Sequence, residues 1–390
     1  MTKQLIRTTQ LKGALTIGLG SILGTGAYVS VGLGASIAGE SLIWAILLAA
    51  FTALCNGLSS AQLAAAHPVS GGTYEYGYRF LNPASGVTAG ALFIIAKSAS
   101  AATAALAVAW YVNSFFAVSE WLIKASAICL LLLLTIFVLL GVRRTNRLNA
   151  VIVAASVLGL LVFIGVAFNT SVNTSAVKAP VASGSLSVFH AAALMFVAFT
   201  GYGRIATMGE EIAEPRRNIP RAVILTLIIV SVLYIMVGLA ILHMGRIVTF
   251  DQNGFNIANL MNDSPWQWLV SLGGIVAMSG VVLNLVLGVS RVILAMGRRG
   301  DLPTFLAQLD KDSKSAPAAT WVTFLVMAFI ALTGGIESTW TLSAFTVLIY
   351  YGITNIAALK VSHEERFIPK ALSVVGLISC AGLVILAALA

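Results

Sequence analysis

Apolar residues run through this chain in long stretches, each closed by a short polar or basic segment. Eleven such stretches stand out, at 13–37, 41–65, 84–113, 122–141, 148–168, 189–212, 220–242, 267–296, 318–335, 339–360 and 368–389. Each is near or beyond the roughly 20 residues that a helix needs to cross a bilayer. The pattern predicts an all-α membrane protein with about eleven transmembrane helices. Two of the stretches are interrupted. In the first, Gly18-Leu-Gly-Ser-Ile-Leu-Gly-Thr-Gly-Ala27 sets four glycines in an otherwise apolar run. In the sixth, Phe196-Val-Ala-Phe-Thr-Gly-Tyr-Gly-Arg204 does so with Gly201 and Gly203. A glycine-rich helix can unwind at mid-membrane, and hydrocarbon tolerates the bared N–H and C=O groups only where they line a cavity or meet a partner. Glycines also serve close helix packing, so either cluster alone has two readings.

Position separates those readings. After five spans the sixth enters from the opposite face, so the two interrupted spans hold matching places in two oppositely oriented halves, 13–168 and 189–360. That arrangement points to a 5+5 inverted repeat with discontinuous helices 1 and 6 and a site at the repeat interface. Residues 1–360 are then a single transport-type core, and 361–390 an additional peripheral helix.

Charge tests the span count. The chain of 390 residues is 59% hydrophobic and 9% charged, with a mean hydropathy of +0.96, which excludes an ordinary soluble domain. With the N-terminus in the cytoplasm, seventeen of the 23 basic residues fall on cytoplasmic segments, among them Arg79, Arg147, Arg216, Arg298 and Lys370. Only Lys124, Lys178 and Arg246 fall outside, and Lys97, Arg204 and Arg291 lie within spans. The net charge of +9 is thus topological, and its spread over several loops argues against nucleic acid as a partner. Cys55, Cys129 and Cys380 lie within spans and lack CxxC spacing, as small packing residues do. No apolar segment with a cleavage site precedes the first span, so that span is expected to serve as its own insertion signal, and the protein to reside in the cell membrane.

Several motifs carry a family likeness. They are Ser21-Ile-Leu-Gly-Thr-Gly26, Ser70-Gly-Gly-Thr-Tyr-Glu-Tyr76, Phe199-Thr-Gly201, and Glu210-Glu-Ile-Ala-Glu-Pro-Arg-Arg-Asn-Ile-Pro220. Ser290-Arg-Val-Ile-Leu-Ala-Met296, Gly300-Asp-Leu-Pro303 and Tyr350-Tyr-Gly-Ile-Thr-Asn355 extend them to nearly the whole core. The chain resembles the amino acid–polyamine–organocation (APC) superfamily of secondary transporters, whose fold is of the LeuT type. Two features depart from that pattern. Members usually carry twelve spans, against eleven here, and proton-using members often place a lysine in span 5 where this chain has Ser156.

The resemblance implies a site at the breaks. The N-terminal end of a half-helix offers free N–H groups and partial positive charge to a carboxylate, and carbonyls at the break accept from an ammonium. Thr25 and Gly26 would hold the carboxylate of an amino acid, and Ser21 and Ile22 would offer carbonyls to its ammonium. Gly24 would complete the first cradle. From span 6, Phe196, Ala198, Phe199, Thr200 and Gly201 would add carbonyls and an apolar wall, with plain packing as the other reading of both phenylalanines. Relatives often carry a gating aromatic at the place of Val197, so either the gate is reduced or Phe196 supplies it.

Lys97 is the sharpest single signal, because a lysine at mid-span costs on the order of 3 kcal/mol on insertion scales. It is a coupling candidate, as a proton carrier or as a fixed cation, or else a structural lysine reaching carbonyls of a broken helix. Arg204, with Glu210 or Glu211, is a gate or hinge candidate, or a structural pair. Arg291 reads as snorkelling or capping a cytoplasmic carbonyl, and Ser279 and Asn284 as weak candidates, either facing the site or bonding a neighbouring helix. No metal spacing, Walker motif or nucleophile motif occurs, so no cofactor, metal site or enzymatic activity is expected.

The expected function is secondary transport of small or medium neutral L-amino acids by alternating access, as proton symport or exchange, with the bilayer, the amino acid and H⁺ as partners. A cation at Lys97 would repel arginine and polyamines. The alternatives are an exchanger for cationic amino acids or polyamines, and a non-transporting amino acid sensor on the same fold.

Overall fold

The computed structural model describes residues 9–68, 71–116, 119–141, 146–170, 186–206, 212–244, 256–261, 264–310 and 316–390. Among these the chain is helical, and the one extended pairing is an isolated bridge between Thr9 and Ile212. It ties the start of the first span to the start of the seventh.

Span 1 is α1 (Leu11–Ile22), a π-helical turn at Gly26–Ser30, and α2 (Val31–Ala38). It is followed by α3 (Leu42–Ala66), the short helix α4 (Thr73–Phe80), α5 (Pro83–Phe116), α6 (Glu120–Leu139) and α7 (Asn146–Asn169). Span 6 is α8 (Ser187–Phe199), a 3₁₀ turn at Thr200–Tyr202, and α9 (Gly203–Ala206). Then come α10 (Pro215–His243), α11 (Gln267–Arg299), α12 (Pro317–Thr333), α13 (Ile336–Leu359) and α14 (Lys370–Ala388). Nine helical stretches among the described residues are long and apolar enough to cross a membrane. One of these, Leu11–Ala66, carries both the first and second expected spans, and α12 is a shorter apolar helix. All eleven expected spans therefore have a helical counterpart.

The inverted repeat is visible in who packs on whom. In the first half α1 lies on α10 and on α7, and in the second α8 lies correspondingly on α3 and on α13. The contact of α11 with α7 is mirrored by α5 with α13, that of α5 with α6 by α11 with α12, and that of α5 with α12 by α11 with α6. The equivalent pairs α3/α10, α5/α11 and α6/α12 meet at the centre. The fold is thus an all-α, LeuT-type 5+5 inverted repeat with discontinuous helices 1 and 6.

Small residues make these crossings close. The buried stripe of α5 contains Ala89, Ala96, Ala99, Ala102 and Ala107, and its hydroxyls bond across to α13, Ser100 to Ser343 and Thr103 to Thr339, each at 2.7 Å. In lipid, where hydrophobicity cannot drive helix association, such packing and interhelical hydrogen bonds supply the attraction, about 0.6 kcal/mol per bond on average. The outer surface carries apolar side chains such as Trp44, Phe116, Trp121 and Leu140, as a bilayer-facing surface requires. Helix α14 packs on α13, α3 and α8, and α3 holds it through a polar stripe. Ser59 bonds Ser373 at 2.9 Å, Asn56 bonds Cys380 at 3.2 Å, and the Gln62 amide bonds backbone at Glu365 and Phe367.

Candidate functional site

The first break follows from three residues. Helix α1 ends at Ile22; Leu23 leaves helical geometry with ψ at 82°, and the Gly24 N–H turns back to the Ile22 carbonyl at 2.9 Å. The helical ladder resumes with the π-turn, and such interruptions mark functional positions. Side chains satisfy part of the freed backbone. The Ser156 hydroxyl donates to the Leu23 carbonyl at 3.3 Å, while the Ser156 carbonyl accepts from Tyr28 Oη at 2.7 Å. Ser156 therefore braces the break.

At the second break α8 gives way to one tight 3₁₀ turn, and Thr200's carbonyl accepts from Tyr351 Oη at 3.4 Å. The two breaks touch. A side chain at Gly201 would run into the Ser21 carbonyl and Ile22, and one at Gly26 into Tyr234 Oη and Ala198. Tyr234, from α10, is fully buried at that junction, with its hydroxyl 3.2 Å from both the Ile22 and the Ala198 carbonyls. One hydroxyl proton thus serves a freed carbonyl in each half of the repeat.

A cavity of about 760 Å³ opens at this junction. It lies within the range of roughly 300–1,000 Å³ typical of small-molecule sites. Ser21, Ile22, Thr25 and Gly26 line it from the first break, and Val197, Ala198, Thr200 and Gly201 from the second. Lys97, Ser100, Asn284, Trp340, Tyr350 and Tyr351 form the facing wall, and the cavity runs on past Arg204 and Arg291 to Glu75, Arg298 and Arg299. The Thr25 hydroxyl is buried without a hydrogen-bond partner. Such an orphan costs about 1–3 kcal/mol, which a bound ligand or water would recover. Lys97 Nζ donates to Thr200 Oγ1 at 3.0 Å, and that hydroxyl donates to the Val197 carbonyl at 2.8 Å.

The far end of the cavity is framed by α4 and the end of α11. Arg299 Nη2 donates to both carboxylate oxygens of Glu75, at 3.0 and 2.8 Å, and the guanidinium lies over the Tyr78 and Tyr74 rings at 4.1 and 5.2 Å. Both tyrosine hydroxyls hold the Asp301 carboxylate at 2.6 Å. Planar guanidinium, carboxylate and aromatic faces suit one another here. Together they fasten α4 to α11. The Tyr78 hydroxyl resists ionisation, through burial and the Asp301 carboxylate beside it.

Of the residues singled out from sequence, Ser21, Ile22, Thr25, Gly26, Ala198, Thr200, Gly201, Lys97 and Arg204 line this cavity. Gly24 instead sits against Val281 and the Ala277 carbonyl of α11. Phe196 and Phe199 are fully buried, with rings against Tyr351 at 5.7 Å and Tyr234 at 5.1 Å, so the apolar wall facing the cavity from span 6 is Val197 and Ala198. Arg291, read as snorkelling, lines the cavity, as does Asn284. Glu210 and Glu211 lie outside the described residues. Tyr234, Trp340, Tyr350 and Tyr351 were missed, although aromatics with polar tips in mid-span need a partner for the tip and could have been flagged on that ground. Trp340 Nε1 finds the Leu194 carbonyl at 3.1 Å, pinning α13 to α8.

A fold of two inverted five-helix halves around such a cavity defines a membrane transporter. Residues 10–390 match the family model described as amino acid permease. The chain is 35% identical over 381 residues to an uncharacterized transporter of Mycobacterium tuberculosis, covering 97% of this chain and 85% of that protein. It is 26% identical over 393 residues to the branched-chain amino acid permease BcaP of Bacillus subtilis, covering 95% and 84%. It is also 28% identical over 405 residues to the methylthioribose transporter of Bacillus subtilis, covering 94% and 86%. The chain belongs to the amino acid permease family; it is a multi-pass membrane transporter, not an enzyme.

Proposed function

We propose that the protein carries small or medium neutral L-amino acids across the cell membrane by alternating access, with its N-terminus in the cytoplasm. The observation that carries this reading is the meeting of the two interrupted helices at one cavity, with the unpartnered Thr25 hydroxyl buried at the first break beside it. An α-amino acid presents a carboxylate and an ammonium a few bonds apart, and the breaks offer donors and acceptors to match. Thr25 and Gly26 would take the carboxylate, and carbonyls at Ser21, Ile22 and Ala198 the ammonium. Of these carbonyls, Ile22 and Ala198 share the Tyr234 proton, and Ile22 also accepts from the Gly24 N–H, so Ala198 keeps the larger spare acceptor capacity. Spans 1, 2, 6 and 7 would rock as a bundle against spans 3, 4, 8 and 9. Residues 1–360 form the moving core, and 361–390 an added helix. The cavity's extension toward Arg298 and Arg299, on the basic face, fits an inward-open state.

The name of BcaP, a branched-chain amino acid permease, supports neutral substrates. Purified protein in liposomes preloaded with single amino acids is expected to show counterflow of a radiolabelled neutral L-amino acid, and competition by the twenty common amino acids will define the set. Binding without counterflow would mark a sensor and overturn the transport reading.

Coupling is assigned to Lys97, with the cell's proton gradient or a second amino acid as the driving partner. Lys97→Gln and Lys97→Ala are expected to retain counterflow while concentrative uptake loses its pH dependence. Uptake and a pH profile equal to those of the unaltered protein would remove Lys97 from the coupling step.

A further inference from the structure

The Lys97 ammonium has three N–H donors, and the described structure uses one of them, on Thr200 Oγ1. Thr200 gives its own proton to the Val197 carbonyl, so its oxygen is fixed as an acceptor that holds the ammonium in the cavity wall. No ion pair involves Lys97 among the described residues. The carboxylate that lines the cavity, Glu75, is engaged by Arg299. Two other groups on this wall are engaged elsewhere: Ser100 pairs with Ser343, and Trp340 Nε1 with the Leu194 carbonyl. Among the described groups lining the cavity, the remaining Lys97 donors at the second break are therefore unspent, as is the Asn284 amide of α11, while the Thr25 hydroxyl is buried without a partner at the first break.

We propose that Lys97 and Thr200 form a side-chain subsite for amino acids whose side chain ends in a carboxylate or an amide oxygen, so that the carried class includes acidic as well as amide amino acids. This rests on the cavity being an amino acid site. The backbone breaks read the α-carboxylate and α-ammonium common to all substrates, and Lys97 reads what differs between them. An oxygen-tipped side chain accepts from the idle donors, an apolar one leaves them unsatisfied, and a cationic one meets a like charge. A site built to hydrogen-bond a substrate group discriminates strongly against analogues lacking it.

The test is competition for counterflow in liposomes by glutamate, glutamine, methionine and ornithine, which have similar side-chain lengths. Glutamate and glutamine are expected to compete at least about tenfold better than methionine, and ornithine at least about tenfold worse, as expected for hydrogen bonds to a charged group. Lys97→Met should compress the order, Lys97→Glu should invert it in favour of ornithine, and Lys97→Arg should keep it. Equal competition by all four in the unaltered protein overturns the subsite without need of any variant. So does an order preserved in Lys97→Met while that protein still carries methionine. Counterflow with no amino acid at all would overturn the transport reading itself, an outcome distinct from counterflow without preference.

Discussion

Gly201→Ala is expected to abolish transport, lowering counterflow by at least about 100-fold, while the protein still inserts and purifies. The added methyl would run into the Ser21 carbonyl and lie 2.5 Å from Ile22 Cγ1. Overpacking of this kind costs about 1–3 kcal/mol when side chains can yield, but the obstacle here is backbone at the first break. Relief requires the two breaks to separate, which destroys the geometry of the cavity between them. Gly165→Ala is the control, since nothing lies within 4 Å of its position, and it should transport normally. Gly26→Ala should fail for a different reason, because its chief obstacle is a side-chain hydroxyl, that of Tyr234. Equal counterflow by Gly201→Ala and the unaltered protein would mean that the breaks do not work as one unit.

Tyr234→Phe is expected to lower counterflow about tenfold or more. The hydroxyl stands 3.2 Å from the freed carbonyls of Ile22 and Ala198, one in each repeat, and its ring packs on Phe199 at 5.1 Å. Removing it leaves both carbonyls without that donor at a buried position, at a cost of about 1–3 kcal/mol. The ring contact survives in phenylalanine, so the loss isolates the hydroxyl. Both the apparent affinity and the maximal rate should suffer, because the carbonyls proposed to receive the substrate ammonium lose their alignment while the two broken helices lose their common tether. An unchanged apparent affinity for every carried amino acid would separate Tyr234 from the substrate site.

Hydropathy alone exposed the spans, because each helix must cross a bilayer and each loop must pay for its backbone in water or by capping. The first break was legible at Gly24 and Gly26 and the second at Gly201, where glycine density coincided with matching positions in the two repeats. Tyr234, Trp340 and Tyr351 were not legible as site residues. Each is a single polar-tipped aromatic in a long apolar helix, and its role depends on which carbonyl the other repeat leaves free, which no local pattern encodes. The same limit explains Phe196 and Phe199. Sequence placed both beside the break, but helix rotation turns their rings onto Tyr351 and Tyr234 and leaves Val197 and Ala198 toward the cavity. Lys97 was conspicuous by its charge; that its partner is Thr200 at the second break required the fold.

The central claim, that the cavity between the breaks holds an amino acid and opens to each side in turn, is tested most directly by cysteine accessibility. Asn284→Cys, at a half-buried position on the cavity wall, in a protein with Cys55, Cys129 and Cys380 replaced and counterflow retained, can be labelled with a membrane-impermeant thiol reagent from either face of oriented vesicles. The account predicts labelling from the face bearing Arg298 and Arg299, protection by a carried amino acid when turnover is halted in the cold, and labelling from the opposite face under active exchange. Labelling from one face only, at a rate that no amino acid alters, would contradict it.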